Sequence, residues 1–185
     1  KSGSRTKCRK FNLCNVLSCI SLGEKNEKEV FADNKSKKFN DRFNTHFEPV
    51  INKINEVYYN YYIDMFNIEG MSKDNFYGYF STTTINKSLR SATHKDAKNT
   101  TNLTLAFVLD NPLIENKFNG GDLLIPDYNI GFNIRPGKDI VLFDGQDLLH
   151  CNDKIICDVE PDIVKNIFHS RLSFIFYSRN KKNNI

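Results

Sequence analysis

RLSFIFY, at residues 171–177, alternates large apolar side chains with a second set that is largely polar. Successive side chains of a β-strand point to opposite faces of a sheet, so Leu172, Phe174 and Phe176 would share one face. The other face would carry Arg171, Ser173, Ile175 and Tyr177. The first face therefore predicts contact with an apolar core, and the second predicts a polar interior.

Short β-rich runs precede this strand from residue 76 onward. They suggest strands near residues 77–84, 89–94, 103–109, 122–125, 132–134, 140–143, 148–151 and 171–177. Turn signals separate several of them, namely Asn111-Pro112, Asn119-Gly120-Gly121, Pro136-Gly137 and Asp144-Gly145. Short strands at this spacing, after a helical N-terminal part, predict an α+β chain with a double-stranded β-helix, that is, a jelly-roll or cupin-like core.

The first 75 residues are expected to be mostly helical and to support a jelly-roll core at residues 76–179, within one domain of 185 residues. Between Phe47 and Phe66, apolar side chains recur at spacings of three and four, which is the period of a helix. Pro49 suits the first turn of that helix and Gly70 its end. The tyrosines of this segment favour a helix that packs on a sheet.

Composition sets few limits on function. The net charge of +4 is compatible with a polyanionic partner without requiring one. No run approaches the ~20 apolar residues of a membrane span, so no membrane association is expected. Five cysteines, an odd number, favour a reducing, intracellular setting. Cys8, Cys14 and Cys19 could belong to a zinc site, although no CxxC pair is present.

Two histidines and one carboxylate of the β-rich half suggest a metal site. In a strand, His94 and Asp96 would point to one side and Lys95 to the other. His150, which ends a β-like run, is the best third ligand. Two histidines and a carboxylate form the facial triad of non-haem Fe(II) oxygenases, which leaves the other side of the ion open.

The metal assignment has alternatives. His46 lies before the predicted helix, and His169 lies beside Arg171, so each is a weaker third ligand than His150. An HxD pair alone is weak, because surface pairs of this kind are common. The pair gains weight from the later histidine and arginine in the same β-rich half.

Arg171 suggests a carboxylate ligand. A buried guanidinium needs an anionic partner, and it pairs a carboxylate through two hydrogen bonds. The far carboxylate of 2-oxoglutarate would suit it, with Ser173 donating a further hydrogen bond. The alternative partner is a carboxylate of the protein itself.

Four segments together resemble the TET/JBP family of Fe(II)/2-oxoglutarate-dependent dioxygenases, which oxidise 5-methylpyrimidines in nucleic acid. Residues 94–99, HKDAKN, are similar to the family's HxDxxN segment. Residues 120–127, GGDLLIPD, are similar to its GG-x-L-x-L-P segment. Residues 135–143 resemble its RPGD strand with Lys138 inserted, and RLSFIFY resembles its RxSxxFY. The motifs occur in order over more than half of the chain, from about Phe76 to Arg179.

The resemblance implies a complete catalytic centre. Fe(II) would be held by His94, Asp96 and His150, and 2-oxoglutarate by Arg171 and Ser173, with O2 as the other co-substrate. The reaction would hydroxylate the methyl group of 5-methylcytosine or thymine, with DNA favoured over RNA. A target base inside a duplex would have to be flipped out. A nuclear location would follow.

The resemblance also implies contacts to the substrate. Asn99 would contact the base or the co-substrate region, and Tyr177 would stack on the flipped base. Without the resemblance, Asn99 suits a turn and Tyr177 a core. The family often has a histidine two residues after the tyrosine, and Arg179 stands there in this chain, which leaves the identity of the base open. The long polar segment between His150 and Arg171 predicts an inserted loop.

Other functions use the same residues. A protein hydroxylase of the prolyl type could share the catalytic core, and a non-catalytic binding module could retain its fold. HxDxxN and RxSxxFY favour the nucleic-acid enzyme. Basic side chains that could hold phosphates are Lys35, Lys37, Lys38, Arg179, Lys181 and Lys182. The sequence does not predict the oligomeric state, and a monomer is assumed.

Overall fold

The computed structural model describes residues 18–25, 28–29, 45, 49, 52–58, 60–62, 80–97, 99, 102–110, 118–157 and 171–178. Strands dominate these residues, and all of their pairings are antiparallel. This confirms a β-rich core. None of the helices in the described ranges has the length and apolar character that a membrane span requires.

The main sheet has six strands in the order β2-β1-β3-β11-β4-β8. Its strands are β1 (Ser18–Lys25), β2 (Lys28–Glu29), β3 (Thr82–Lys87), β4 (Leu103–Val108), β8 (Ile140–Asp144) and β11 (Leu172–Tyr177). The strand predicted from RLSFIFY therefore lies in the middle of the sheet, between β3 and β4.

A second, three-stranded sheet has the order β7-β6-β9. Its strands are β6 (Leu123–Ile125), β7 (Ile130–Phe132) and β9 (Cys151–Asn152). A 3-10 helix at Pro126–Tyr128 joins β6 to β7, and Asn129 closes that turn at φ 52°. A third pairing joins β5 (Phe118–Asn119) to β10 (Ile156–Cys157).

An apolar cluster joins the main sheet to the three-stranded sheet. Ala106 and Val108 of β4 and Phe143 of β8 pack with Leu123 and Ile125 of β6. Since Ser173 pairs with Val108 and Ile175 with Ala106, the face of β11 that carries Arg171 looks into this interior. The burial of apolar side chains between two sheets is the main force that holds such a core together.

The opposite face of the main sheet carries an aromatic layer. Phe107 of β4 stacks on Phe174 and Phe176 of β11 at centroid distances of 5.2 and 5.9 Å. Phe80 contacts Phe176 and also Tyr62, one of the helical residues 52–58 and 60–62. The side chain of Tyr62 is fully buried. Helical residues therefore cover this face of the sheet, as the alternation of RLSFIFY and the tyrosine-rich helix predict.

Several strands differ from the prediction. Residues 89–93 form no strand, because side chains satisfy their main chain: Asn152 Oδ1 accepts from Ser91 N, and Asn152 Nδ2 donates to Leu89 O. The strand predicted at residues 77–84 is observed at Thr82–Lys87. β1 was not predicted, because SCISLGEK contains few residues that favour strands, and its pairing with β3 determines its structure.

Candidate metal centre

The main chain holds the first and third predicted ligands side by side. His94 and His150 form an isolated antiparallel bridge in which each N–H donates to the other's carbonyl oxygen at 2.9 Å. The two rings lie 4.4 Å apart between centroids. Phe143 of β8 contacts the His150 ring edge-on at 5.1 Å. The site is therefore built where β8, the strand β9 and the segment before His94 meet.

Both imidazoles present the same nitrogen to the site. His94 Nδ1 lies 2.7 Å from Ala92 O, and His150 Nδ1 lies 2.9 Å from Leu148 O. A carbonyl oxygen only accepts hydrogen bonds, so each Nδ1 must carry the proton. In the neutral ring Nε2 then has a free lone pair. Carbonyl contacts of this kind fix the ring orientation of metal-binding histidines.

Asp96 completes a group of three ligands. Its Oδ1 lies 3.6 Å from His94 Nε2, and its Oδ2 lies 3.9 Å from His150 Nε2. One ligand atom from each residue lies within 4.8 Å of the other two. The Asp96 N–H donates to Gly145 O at 2.8 Å, which anchors the ligand to the turn after β8. The structure thus brings the three predicted ligands together, although Asp96 lies outside any regular strand.

The group is closed on one side and open on the other. The His150 side chain is 7% exposed, whereas those of Asp96 and His94 are 22% and 34% exposed. Burial lowers the pKa of His150, as does the neighbouring His94, while the Leu148 carbonyl and Asp96 act in the opposite direction. A lowered pKa favours the neutral imidazole, which is the form that binds a metal.

Arg171 lies in the same interior and is 5% exposed. Its Nη2 donates to Gly121 O at 2.9 Å. No carboxylate of the described residues lies within ion-pair distance of its guanidinium. Burial lowers its pKa to about 10, and the more distant Asp122 and Asp153 act in the opposite direction. Arg171 is therefore a buried cation at neutral pH with donors left for an anion.

A glycine turn positions the guanidinium. Asp153 Oδ1 accepts hydrogen bonds from the main-chain N–H groups of Gly121 and Asp122. Gly121 has a φ of 82°, and a Cβ there would come within 2.8 Å of Arg171 Nε. A residue with a side chain would thus strain the turn and displace Arg171. Sequence reasoning identified the glycine pair but gave no signal for Asp153.

The short strand β9 separates the metal ligand His150 from the residue that holds the Arg171 turn. His150 immediately precedes β9, and Asp153, which holds the Gly121 turn, immediately follows it. Three steps of extended chain span at most roughly 11 Å. The predicted iron and co-substrate residues are thus neighbours across one short strand.

The other predicted residues of the described ranges are also buried. Ser173 is 9% exposed and Asn99 is 3% exposed, and the Asn99 side-chain nitrogen has no hydrogen-bond partner among the described residues. Tyr177 is 7% exposed, and its hydroxyl lies 3.0 Å from Thr84 Oγ1. Tyr177 follows Phe176, which pairs with Leu105, so its neighbour on the interior face is Thr104. Thr84 and Thr104 were not identified from the sequence.

The RPGD-like segment forms a turn at the rim of the sheet. Arg135 Nη2 lies 2.6 Å from Asp139 Oδ1, and Asp139 also accepts from Arg135 N. This pairing lowers the pKa of Asp139 to about 2. The Arg135 side chain is largely exposed and the Asp139 side chain is half-buried, so the ion pair stabilises the turn and contributes nothing to the metal site.

Some predicted residues fall outside the described ranges. They are Cys8, Cys14, Lys35, Lys37, Lys38, His46, His169, Arg179, Lys181 and Lys182. The zinc hypothesis, the basic segments, the alternative ligands and the role of Arg179 therefore stay predictions. Cys19 lies in β1.

Comparison with protein-family models and with curated protein sequences finds no match to this chain.

Proposed function

We propose that this protein is an Fe(II)/2-oxoglutarate-dependent dioxygenase of the TET/JBP type. It would hydroxylate the methyl group of 5-methylcytosine or thymine in nucleic acid, with DNA as the favoured polymer. One observation carries the proposal: the His94, Asp96 and His150 group lies one short strand from the turn that holds Arg171, a buried arginine without an ion-pair partner among the described residues.

The donor set fits Fe(II). Two imidazole Nε2 atoms and one carboxylate oxygen form the combination that non-haem iron oxygenases use, and it leaves positions free for other ligands. The partly exposed side of His94 and Asp96 would give those ligands access. We further propose that the two sheets belong to a double-stranded β-helix, since that fold places such ligands inside a sandwich of antiparallel strands.

The co-substrate would be held from the other end of β9. Arg171 would pair with the far carboxylate of 2-oxoglutarate, and Ser173, two residues along the same face of β11, would donate a hydrogen bond. Bound Fe(II) with O2 supplies oxidation of a C–H bond: the methyl group and 2-oxoglutarate yield hydroxymethyl, succinate and CO2. The protein's part is to position both substrates and to exclude water.

The substrate would enter on the side of Tyr177. This residue lies at the end of β11 opposite Arg171 and beside Thr104, whose strand partner Phe143 contacts His150. The hydrogen bond to Thr84 fixes the ring, which is the preorganisation that stacking requires. The Asn99 amide nitrogen has no hydrogen-bond partner in the part of the chain that the structure describes, so it could donate to a base edge. Arg179 would contact the substrate beyond the tyrosine.

The test is direct. The protein is incubated with Fe(II), 2-oxoglutarate and oligonucleotides that contain 5-methylcytosine, thymine or neither, and nucleosides and succinate are measured by mass spectrometry. We expect one oxidised pyrimidine that depends on both Fe(II) and 2-oxoglutarate. Lys95→Ala, an exposed neighbour of the ligands, is the matched control for Asp96→Ala. If a peptide is oxidised and no base of any DNA or RNA is, the protein is a protein hydroxylase and the proposal is wrong.

A further inference from the structure

Thr104 carries a polar group that the fold itself leaves unused. Thr104 lies in β4 and is fully buried, and its hydroxyl oxygen Oγ1 has no hydrogen-bond partner in the described part of the chain. Thr104 pairs with Phe143, so it stands on the interior face of the main sheet beside His150. A buried hydroxyl without a partner is unfavourable and is uncommon in folded proteins.

The carboxylate of Asp96 lies close to this hydroxyl. Gly145 stands between them: a Cβ added there would collide with Thr104 Oγ1 and would approach Asp96 Oδ2 to 3.4 Å. The carboxylate likewise receives no hydrogen bond from an O–H or amide N–H of the described residues. Gly145 O accepts from Asp96 N, so the same turn holds the main chain of the ligand. A buried hydroxyl with no partner among the described residues thus lies close to a partly exposed carboxylate, with Gly145 beside both.

We propose that Thr104 is a positioning residue for the metal centre. Its hydroxyl would donate a hydrogen bond to the Asp96 carboxylate when an ion is bound, and Gly145 is required to leave room for this contact. The physical reason is that a carboxylate bound to a metal through one oxygen is held in orientation by a hydrogen bond to the other. This role rests on the metal centre of the proposed function and on no property of the co-substrate or the nucleic acid.

A second threonine offers a matched control. Thr83 of β3 is also fully buried, and its Oγ1 also has no partner among the described residues. Thr83 pairs with Phe176, which places it in the aromatic layer, on the face of the sheet away from Asp96. The two threonines differ in one relevant respect, which is the carboxylate beside Thr104.

The experiment measures metal affinity, without turnover. The full-length protein is titrated with Co(II) in the absence of oxygen and 2-oxoglutarate, and binding is followed by calorimetry and by the visible absorption of the bound ion. Thr104→Val keeps the shape and removes the hydroxyl, and we expect it to weaken binding roughly 10–100-fold and to change the absorption spectrum. Thr104→Ser should restore near-normal binding, and Thr83→Val should bind as the wild type does.

Each outcome decides the matter. Equal Co(II) affinity and spectra in Thr104→Val and the wild type would overturn the role of Thr104 and leave the metal centre standing. Equal weakening by Thr83→Val would also overturn it, because the effect would then be general to the loss of a buried hydroxyl. A wild-type protein that binds no divalent ion would overturn the metal centre itself, and the proposed function with it. Unfolding curves show whether each variant is folded.

Discussion

The two faces of the main sheet carry different kinds of side chain on the same strands. On the aromatic face, Phe107, Phe174 and Phe176 stack on one another and are covered by Phe80 and Tyr62. On the interior face, β11 presents Arg171, Ser173 and Tyr177, and all three are buried. The aromatic face therefore contributes stability through packing, while the interior face contains a buried cation, Arg171, that has no ion-pair partner among the described residues.

The largest expected effect is at the interior face. Asp96→Ala removes one of three ligands, so metal-dependent turnover should be abolished. Since Asp96 is partly exposed, the free energy of unfolding of the metal-free protein should change by no more than about 0.5 kcal/mol. Oxidised-nucleoside analysis and urea unfolding measure the two quantities. Lys95→Ala is the control. If Asp96→Ala retains substantial turnover, Asp96 is not a metal ligand.

The next effect is at the aromatic face. Phe176→Ala should lower the free energy of unfolding by about 3–5 kcal/mol, because it leaves a cavity against Phe80 and Phe107. Phe132 of β7, which is 43% exposed, provides the control, and Phe132→Ala should have a much smaller effect. Equilibrium urea unfolding compares them. An equal decrease in the free energy of unfolding of the two variants would contradict the larger contribution of the aromatic face to stability.

A moderate effect is expected at the other end of the interior face. Arg171→Ala should weaken 2-oxoglutarate binding by about 2 kcal/mol or more, roughly 30-fold, because a buried carboxylate would lose its partner. Arg171→Lys should recover only part of this, since an ammonium cannot make two parallel hydrogen bonds. Calorimetric titration with 2-oxoglutarate in the absence of oxygen gives the affinity, succinate formation gives the KM, and Arg135→Ala is the exposed-arginine control. If Arg171→Ala requires the same concentration of 2-oxoglutarate as the wild type, another residue must bind the far carboxylate of the co-substrate.

The smallest effect is at the solvent-exposed rim. The pKa of Asp139 is about 2, below its ordinary value of 3.8, mainly because Arg135 donates hydrogen bonds to it. The pairing therefore contributes stability above pH 4 and loses it as the pH falls through about 2. Arg135→Gln should raise the pKa of Asp139 toward 3.8, which NMR titration of the carboxyl carbon measures. Lys138→Gln should shift this pKa much less, because Lys138 is the weakest cause of the shift; equal shifts would contradict the assignment.

Sequence predicted what depends on periodicity and residue chemistry. The alternation of RLSFIFY predicted both faces of β11, and HxD with a distant histidine predicted a group that the fold brings together. Sequence did not predict β1, since its small and polar residues form a strand only by pairing with β3. It also missed Thr104 and Asp153, because their roles depend on neighbours that are distant in the chain. Such neighbours are known only once the sheets are assembled.

The bridge between His94 and His150 has a consequence for metal choice. Two main-chain hydrogen bonds fix the spacing of these two ligands, whichever ion they bind. Imidazole and carboxylate donors also bind other first-row divalent ions, so Mn(II), Co(II), Ni(II) and Zn(II) should compete with Fe(II) for these ligands, in the order set by their intrinsic affinity for nitrogen and oxygen donors. Which ion the protein carries would then depend on supply in the cell, and the wrong ion would act as an inhibitor.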